Sequence, residues 1–182
     1  AINAPAAAVR YVNLNNASPA PPYADWNTAA TDIQSAIDAA SDGDLILVTN
    51  GIYQTGGRVV YGSLTNRVVI DKAVTVQSVN GPDVTVIQGH QVPAPFNDDS
   101  PIRCVYLTNN AALIGFTLTG GDTRNPYVFN TNIKERSGGG SWCEGTSSMS
   151  ANGVVAGDSC YWYGAVVYSV TVIGCQIRSN TN

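Results

Sequence analysis

Six carboxylates are the first place to look for chemistry: Asp98, Asp99, Asp122, Glu135, Glu144 and Asp158. Grouped carboxylates can transfer protons or attack a glycosidic carbon, provided that two of them face one site. Asp98 and Asp99 are adjacent, so on a strand they point to opposite faces. None of the six recurs at one position of a repeat. The sequence therefore predicts no catalytic residue and no resident cofactor. The single histidine, His90, and four cysteines, Cys104, Cys143, Cys160 and Cys175, fit no zinc spacing, and no metal site is expected. Cys104 lies in an apolar run and Cys175 in an apolar slot, so both read as small buried hydrophobes. Cys143 and Cys160, in Gly/Ser-rich sequence, are the expected disulfide pair if the compartment is oxidising. A cluster of aromatics, Trp142, Tyr161, Trp162 and Tyr163, with Tyr127 and Phe129 upstream, is the candidate ligand-binding or subunit-contact surface.

These residues must be carried on a repeating scaffold. Residues 113–121 (LIGFTLTGG) recur as 172–180 (VIGCQIRSN), each with a Gly-containing bend followed by apolar residues two apart, Phe116 and Leu118 in one and Cys175 and Ile177 in the other. Period two means strand, with those side chains on one face. Residues 150–158 (SANGVVAGD) form a weaker copy in which Gly153 leaves the slot of Phe116 poorly filled. Gly115, Asn152 and Gly174 are taken as equivalent, 37 and 22 residues apart, and the excess is assigned to one polar inserted loop at 122–137. A unit of about 22 residues with short strands and Gly/Asn bends indicates a stacked coil of strands. The fold class read from this pattern is all-β, a right-handed parallel β-helix.

Upstream of the coil, 9–14 (VRYVNL) alternates as a short strand, and 15–23, with three prolines, is an extended connector. Residues 26–40 carry apolar side chains at Trp26, Ala30, Ile33, Ile37 and Ala40, the stripe of an amphipathic helix. Asn27 or Thr28 is expected to cap its start and Gly43 to follow its end. That helix is expected to cover the first turn of the coil, where unpaired strand edges would otherwise be exposed. The organisation is therefore an arm, strand and connector at 1–23, a capping helix at 24–43 and coil turns at 44–182. Expected strands include 45–48, 58–61, 68–70, 74–77, 84–87 and 102–107.

Composition narrows the partners. Charged residues make up 12% of the chain, with 9 Lys+Arg against 13 Asp+Glu and a net charge of −4. Nucleic acid and anionic membrane surfaces call for clustered cations, so neither is expected. No apolar run approaches the roughly 18 residues of a membrane span. Residues 1–8 (AINAPAAA) lack the basic start and apolar centre of a signal peptide, and the chain reads as the mature form of a secreted or cell-surface protein.

The segments DIQSAIDAASDGDLILVTNGIY, VTVQSVNGPDVTVIQGH, IRCVYLTNNAALIGFTLTGG and SGGGSWCEG resemble the N-terminal half of bacterial secreted and cell-surface right-handed parallel β-helix proteins of pectin-lyase-like type. The resemblance implies the β-helix, the N-terminal capping helix and an extracellular setting, and no particular activity. A coil turn left open after Asn182 is expected to be covered by another copy. The function expected is thus a non-catalytic structural protein, a homo-oligomer polymerising head-to-tail, with residues 1–14 available as an added strand. The rival is a polysaccharide-binding or polysaccharide-cleaving protein, a lyase or glycoside hydrolase.

Overall fold

The structure, a computed structural model, describes residues 6–92, 100–108, 110–125, 132–145, 147–160, 167–168 (backbone) and 171–181. It is mostly sheet, with two short helices. The first sheet runs β1 (Val9–Val12), β2 (Leu45–Val48), β6 (Thr75–Ser78), β9 (Ala112–Ile114), β12 (Met149–Ala151), β15 (Thr171–Ile173). The second runs β3 (Gly51–Tyr53), β7 (Thr85–Gln88), β10 (Thr117–Thr119), β13 (Val154–Ala156), β16 (Gln176–Arg178). The third runs β4 (Arg58–Val59), β5 (Thr65–Ile70), β8 (Ile102–Leu107), β11 (Ser141–Cys143), β14 (Val167–Tyr168). From β2 onward the chain visits the sheets in the fixed order first, second, third. Pairing between these strands is parallel except for the β4–β5 hairpin, and an isolated antiparallel bridge joins His90 to Ile102.

Register explains the sequence repeat. Ile114 pairs with Ala151, and Ala151 with Ile173. The next residues, Gly115, Asn152 and Gly174, all take the left-handed conformation, with φ of 77°, 50° and 61°. The 37- and 22-residue spacings are therefore two passages around the same circuit. Gly153 does not leave a gap, as the sequence suggested. A Cβ there would stand 2.6 Å from the Phe116 carbonyl oxygen, so the missing side chain is what allows two turns to approach.

The main core runs through the stack and includes Ile46, Val76, Leu113, Val68, Val105, Ile87 and Leu118, each at most 2% exposed. Leu118, on one strand of the second sheet, thus shares its interior with Val68 and Val105 from the third. Phe116 occupies the predicted inward slot, also 2% exposed.

Helix α1 (Ile33–Ala39) is shorter than the stripe predicts, because Asp32 and not Asn27 or Thr28 is its N-cap. The preceding residues are committed elsewhere. Asp25 Oδ1 accepts the amides of Asn27 (2.8 Å) and Thr28 (2.9 Å). Ala30 makes a parallel bridge to Val12, and its amide donates to Tyr11 O at 2.9 Å. Trp26 is therefore outside the helix, edge-on to Tyr11 at 4.5 Å. Ile33, Ala36 and Ile37 enter the main core, and α1 packs on β1, β2 and β5, at the end of the stack. Lys72 closes its other end: the ammonium donates to the carbonyls of Ile37 (2.9 Å), Asp38 (2.8 Å) and Ala40 (2.7 Å). The predicted inserted loop holds a second helix, α2 (Ile133–Arg136), built on a capping box between Asn132 and Glu135. Val9–Val12 is paired with β2 of its own chain, so that part of the arm is not available to a neighbour.

Candidate functional site

On the outward side of the third sheet, β5, β8 and β11 place Val69, Tyr106 and Trp142 in one row, in register strand to strand. Side chains facing away from the main core of a sheet ordinarily meet water. Here they are 1%, 3% and 4% exposed and form a second, smaller apolar cluster. The cover comes from two directions. The turn after β4 brings Tyr61 against Tyr106, with ring centroids 6.3 Å apart. From α2, Lys134 sets its ammonium 3.7 Å from the Tyr61 ring centroid, a cation–π contact.

The two covering pieces are locked together. Glu135, buried in α2, accepts the Ser63 amide at 2.9 Å. Gly62 beside it has φ 54°, and a Cβ there would collide with the Glu135 carboxylate. Beneath the row, the buried Arg103 guanidinium lies 5.6 Å from the Trp142 ring centroid. It donates to Asn66 Oδ1 (2.9 Å) and to the carbonyls of Gly138 (2.8 Å), Ser137 (2.8 Å) and Lys134. Burial brings its pKa down to about 9.

Glu144 is the polar hub. Its carboxylate accepts from the Tyr106 hydroxyl (2.7 Å), the Trp142 indole N–H (3.1 Å) and Lys134 Nζ (2.9 Å). Partial burial by itself would raise the carboxyl, but these three donors outweigh it and hold the group below the ordinary glutamate range. For Lys134 partial burial works toward the neutral amine, and Tyr61 and Glu144 more than offset it, so its pKa is raised. Burial, then the bond to Glu144, pushes the Tyr106 phenol up. At neutral pH the cluster is a fixed ammonium–carboxylate pair on an aromatic bed. Lys134 is held protonated and is not a free base, so the arrangement is suited to packing or to hydrogen-bonding a polar partner rather than to moving protons.

Of the aromatics singled out in the sequence, Trp142 belongs to this cluster, and Tyr161, Trp162 and Tyr163 lie outside the described residues, as do Tyr127, Phe129, Asp98 and Asp99. The residues that complete it, Tyr61, Tyr106 and Lys134, were missed. A signal for one of them was present: Tyr106 and Trp142 stand 36 residues apart, close to the 37-residue spacing of the turn that carries the insertion, at the same outward slot.

The expected disulfide is not formed: no bridge joins Cys143 to Cys160. Cys143 ends β11 and is turned into the main core, 1% exposed, with its thiol pushed up to about 11 by burial. Cys160 precedes β14, with its amide on the Thr181 carbonyl at 3.2 Å. Cys104 is buried as expected, whereas Cys175 is only partly covered. The remaining carboxylates serve the backbone. Asp122 accepts the amides of Thr123 (2.7 Å) and Val92 (3.2 Å), and Asp158 that of Gly121 (2.6 Å). Among the described residues no three His, Cys, Asp or Glu side chains converge as a metal site, and no helix is long and apolar enough to cross a membrane. No family model, curated protein or solved structure matches this chain.

Proposed function

We propose that this chain is a non-catalytic structural protein of a secreted or cell-surface assembly, a right-handed parallel β-helix of pectin-lyase-like type that associates head-to-tail. The fixed order in which strands join three parallel sheets supports the β-helix, and right-handed crossovers are the rule for parallel connections. The observation that carries the association is a comparison within one slot. Leu118, Val155 and Ile177 pair in register, yet they are 1%, 3% and 55% exposed. In the first sheet Leu113 is 2% exposed and its slot-mate Val172 38%. An exposed apolar β15–β16 edge accepts a further parallel turn, whether of the same polypeptide or of another copy, and the association proposed is the second case. Because α1 covers the opposite end, the two ends differ, and contact between them is directional.

Sedimentation velocity and negative-stain electron microscopy of the purified chain test this reading. Axial polymers that grow with concentration and shorten in Ile177→Asp are expected. A wild-type protein that stays monomeric at the highest soluble concentration overturns it.

A second reading, polysaccharide binding, is supported by the partly exposed Lys134–Glu144 pair beside Tyr61, which is 39% exposed. Trp142 is too enclosed to stack on a sugar. Glycan-array binding that is lost in Tyr61→Ala, with folding intact, is the expected result on that reading, and an array without signal removes it.

A further inference from the structure

Near the α1 end, a cavity of about 310 Å³ opens between α1, the turn after β3, and β5. Its wall is mixed, with apolar Leu14, Ile33 and Tyr53 together with polar Thr31, Thr55 and Arg67. Arg67 is the unusual member. It is 8% exposed, and among the described residues no carboxylate lies within ion-pairing distance of its guanidinium. It donates through Nε to Gln88 O at 2.8 Å and through Nη1 to Gly56 O. A guanidinium carries five N–H donors, so three of those of Arg67 have no acceptor among the described residues, and the residue lines the cavity. Arg103 is the internal contrast: more enclosed, at 2% exposed, it makes four such bonds and rests on Trp142. Asp32 also borders the cavity; its two oxygens each accept one bond from Ser35, from the amide and the hydroxyl, both at 2.7 Å, and among the described residues it makes no ion pair with Arg67.

A desolvated cation without a counter-charge is costly, and a bound anion removes that cost. A planar fork matches a carboxylate in bidentate fashion. The volume is at the lower end of small-molecule sites, and the mixed wall is their usual make-up. We propose that this cavity binds a small organic carboxylate, its head on Arg67 and its apolar body against Leu14 and Tyr53. The inference is independent of how copies of the chain associate.

The test is an amide NMR titration of the whole chain with benzoate and a short panel of carboxylates of similar size, each paired with its neutral amide. Saturable shifts at Thr55, Gly56, Gly57 and Val68 are expected at millimolar ligand or below, at least about tenfold tighter for the acid than for its amide. Arg67→Met, which keeps the side-chain stem, is expected to abolish the difference. Equal affinity of acid and amide for the wild-type protein overturns the proposal, as does an absence of saturable shifts across the panel or shifts confined to other regions. Because the acid–amide comparison is made on the wild type, the outcome does not depend on how the variant folds.

Discussion

Asp158 Oδ1 accepts the Gly121 amide at 2.6 Å, while Oδ2 of the same fully buried carboxyl meets no hydrogen-bond donor among the described residues. Burial carries this group from the ordinary 3.8 up to about 7, against the lowering effect of the Gly121 amide and the Cys104 thiol. The folded chain therefore keeps a proton that the unfolded chain releases above about pH 4. Stability from this group is complete below that pH and is lost as pH rises toward 7.

At about 1.4 kcal/mol per unit, the span amounts to a few kcal/mol. Urea unfolding of wild type across pH 4 to 8 is expected to fall, and Asp158→Asn to flatten the slope and exceed wild type at pH 8. A variant that runs parallel to wild type over that range rules this out.

The Glu144 hub behaves in the opposite sense. Its folded carboxyl is lowered, so its contribution is present at neutral pH and lost as pH falls below the ordinary glutamate range. The Lys134 arm is partly solvated and its coupling to Glu144 is expected to be below about 1 kcal/mol. The Tyr106 arm is enclosed, and Tyr106→Phe removes one of the three donors on Glu144 Oε1 at about 1–2 kcal/mol. Double-mutant cycles on Lys134/Glu144 and Tyr106/Glu144 measure both, and equal couplings contradict the assignment.

The repeat was legible because each strand has a near copy of itself above and below. The same slot then tends to hold the same kind of residue, as with Leu118, Val155 and Ile177. Bends were legible at Gly115 and Gly174 for the same reason. The helix start was misplaced because an apolar stripe carries no mark of the Ala30 backbone being claimed by β1. The Glu144 cluster was hidden more deeply. Its donors come from β8, β11 and α2, and Tyr61 from a hairpin, so nothing in the local sequence ties them together.

Lys72 illustrates a cap supplied from a distance. Its three bonds to the last carbonyls of α1 tie the helix to the turn before β6. Lys72→Met keeps the stem and removes the donors. A loss of about 1–2 kcal/mol is expected, accompanied by faster amide exchange at Ala40, whose N–H donates to Ile37 O. Unchanged exchange there means that the cap is not closing the helix.

Gly153 separates close approach from backbone strain. Its φ lies outside the left-handed range, so alanine is conformationally acceptable there, and the obstacle is the Phe116 carbonyl oxygen 2.6 Å from the new Cβ. That oxygen accepts the Val154 amide at 2.9 Å, so the two turns cannot part without loosening a bond of the stack. At Gly43 the situation is reversed: φ is 91°, and no atom lies within 4 Å of a Cβ. Gly43→Ala is expected to cost about 1 kcal/mol of strain alone. Gly153→Ala is expected to cost about 2–3 kcal/mol, as overpacking does in a closed core, and to raise exchange at Val154 and at Gln176, whose amide donates to Gly153 O. If both variants lose the same stability by denaturant unfolding, and exchange at those two amides is untouched, the contact between turns at Gly153 is looser than its geometry states.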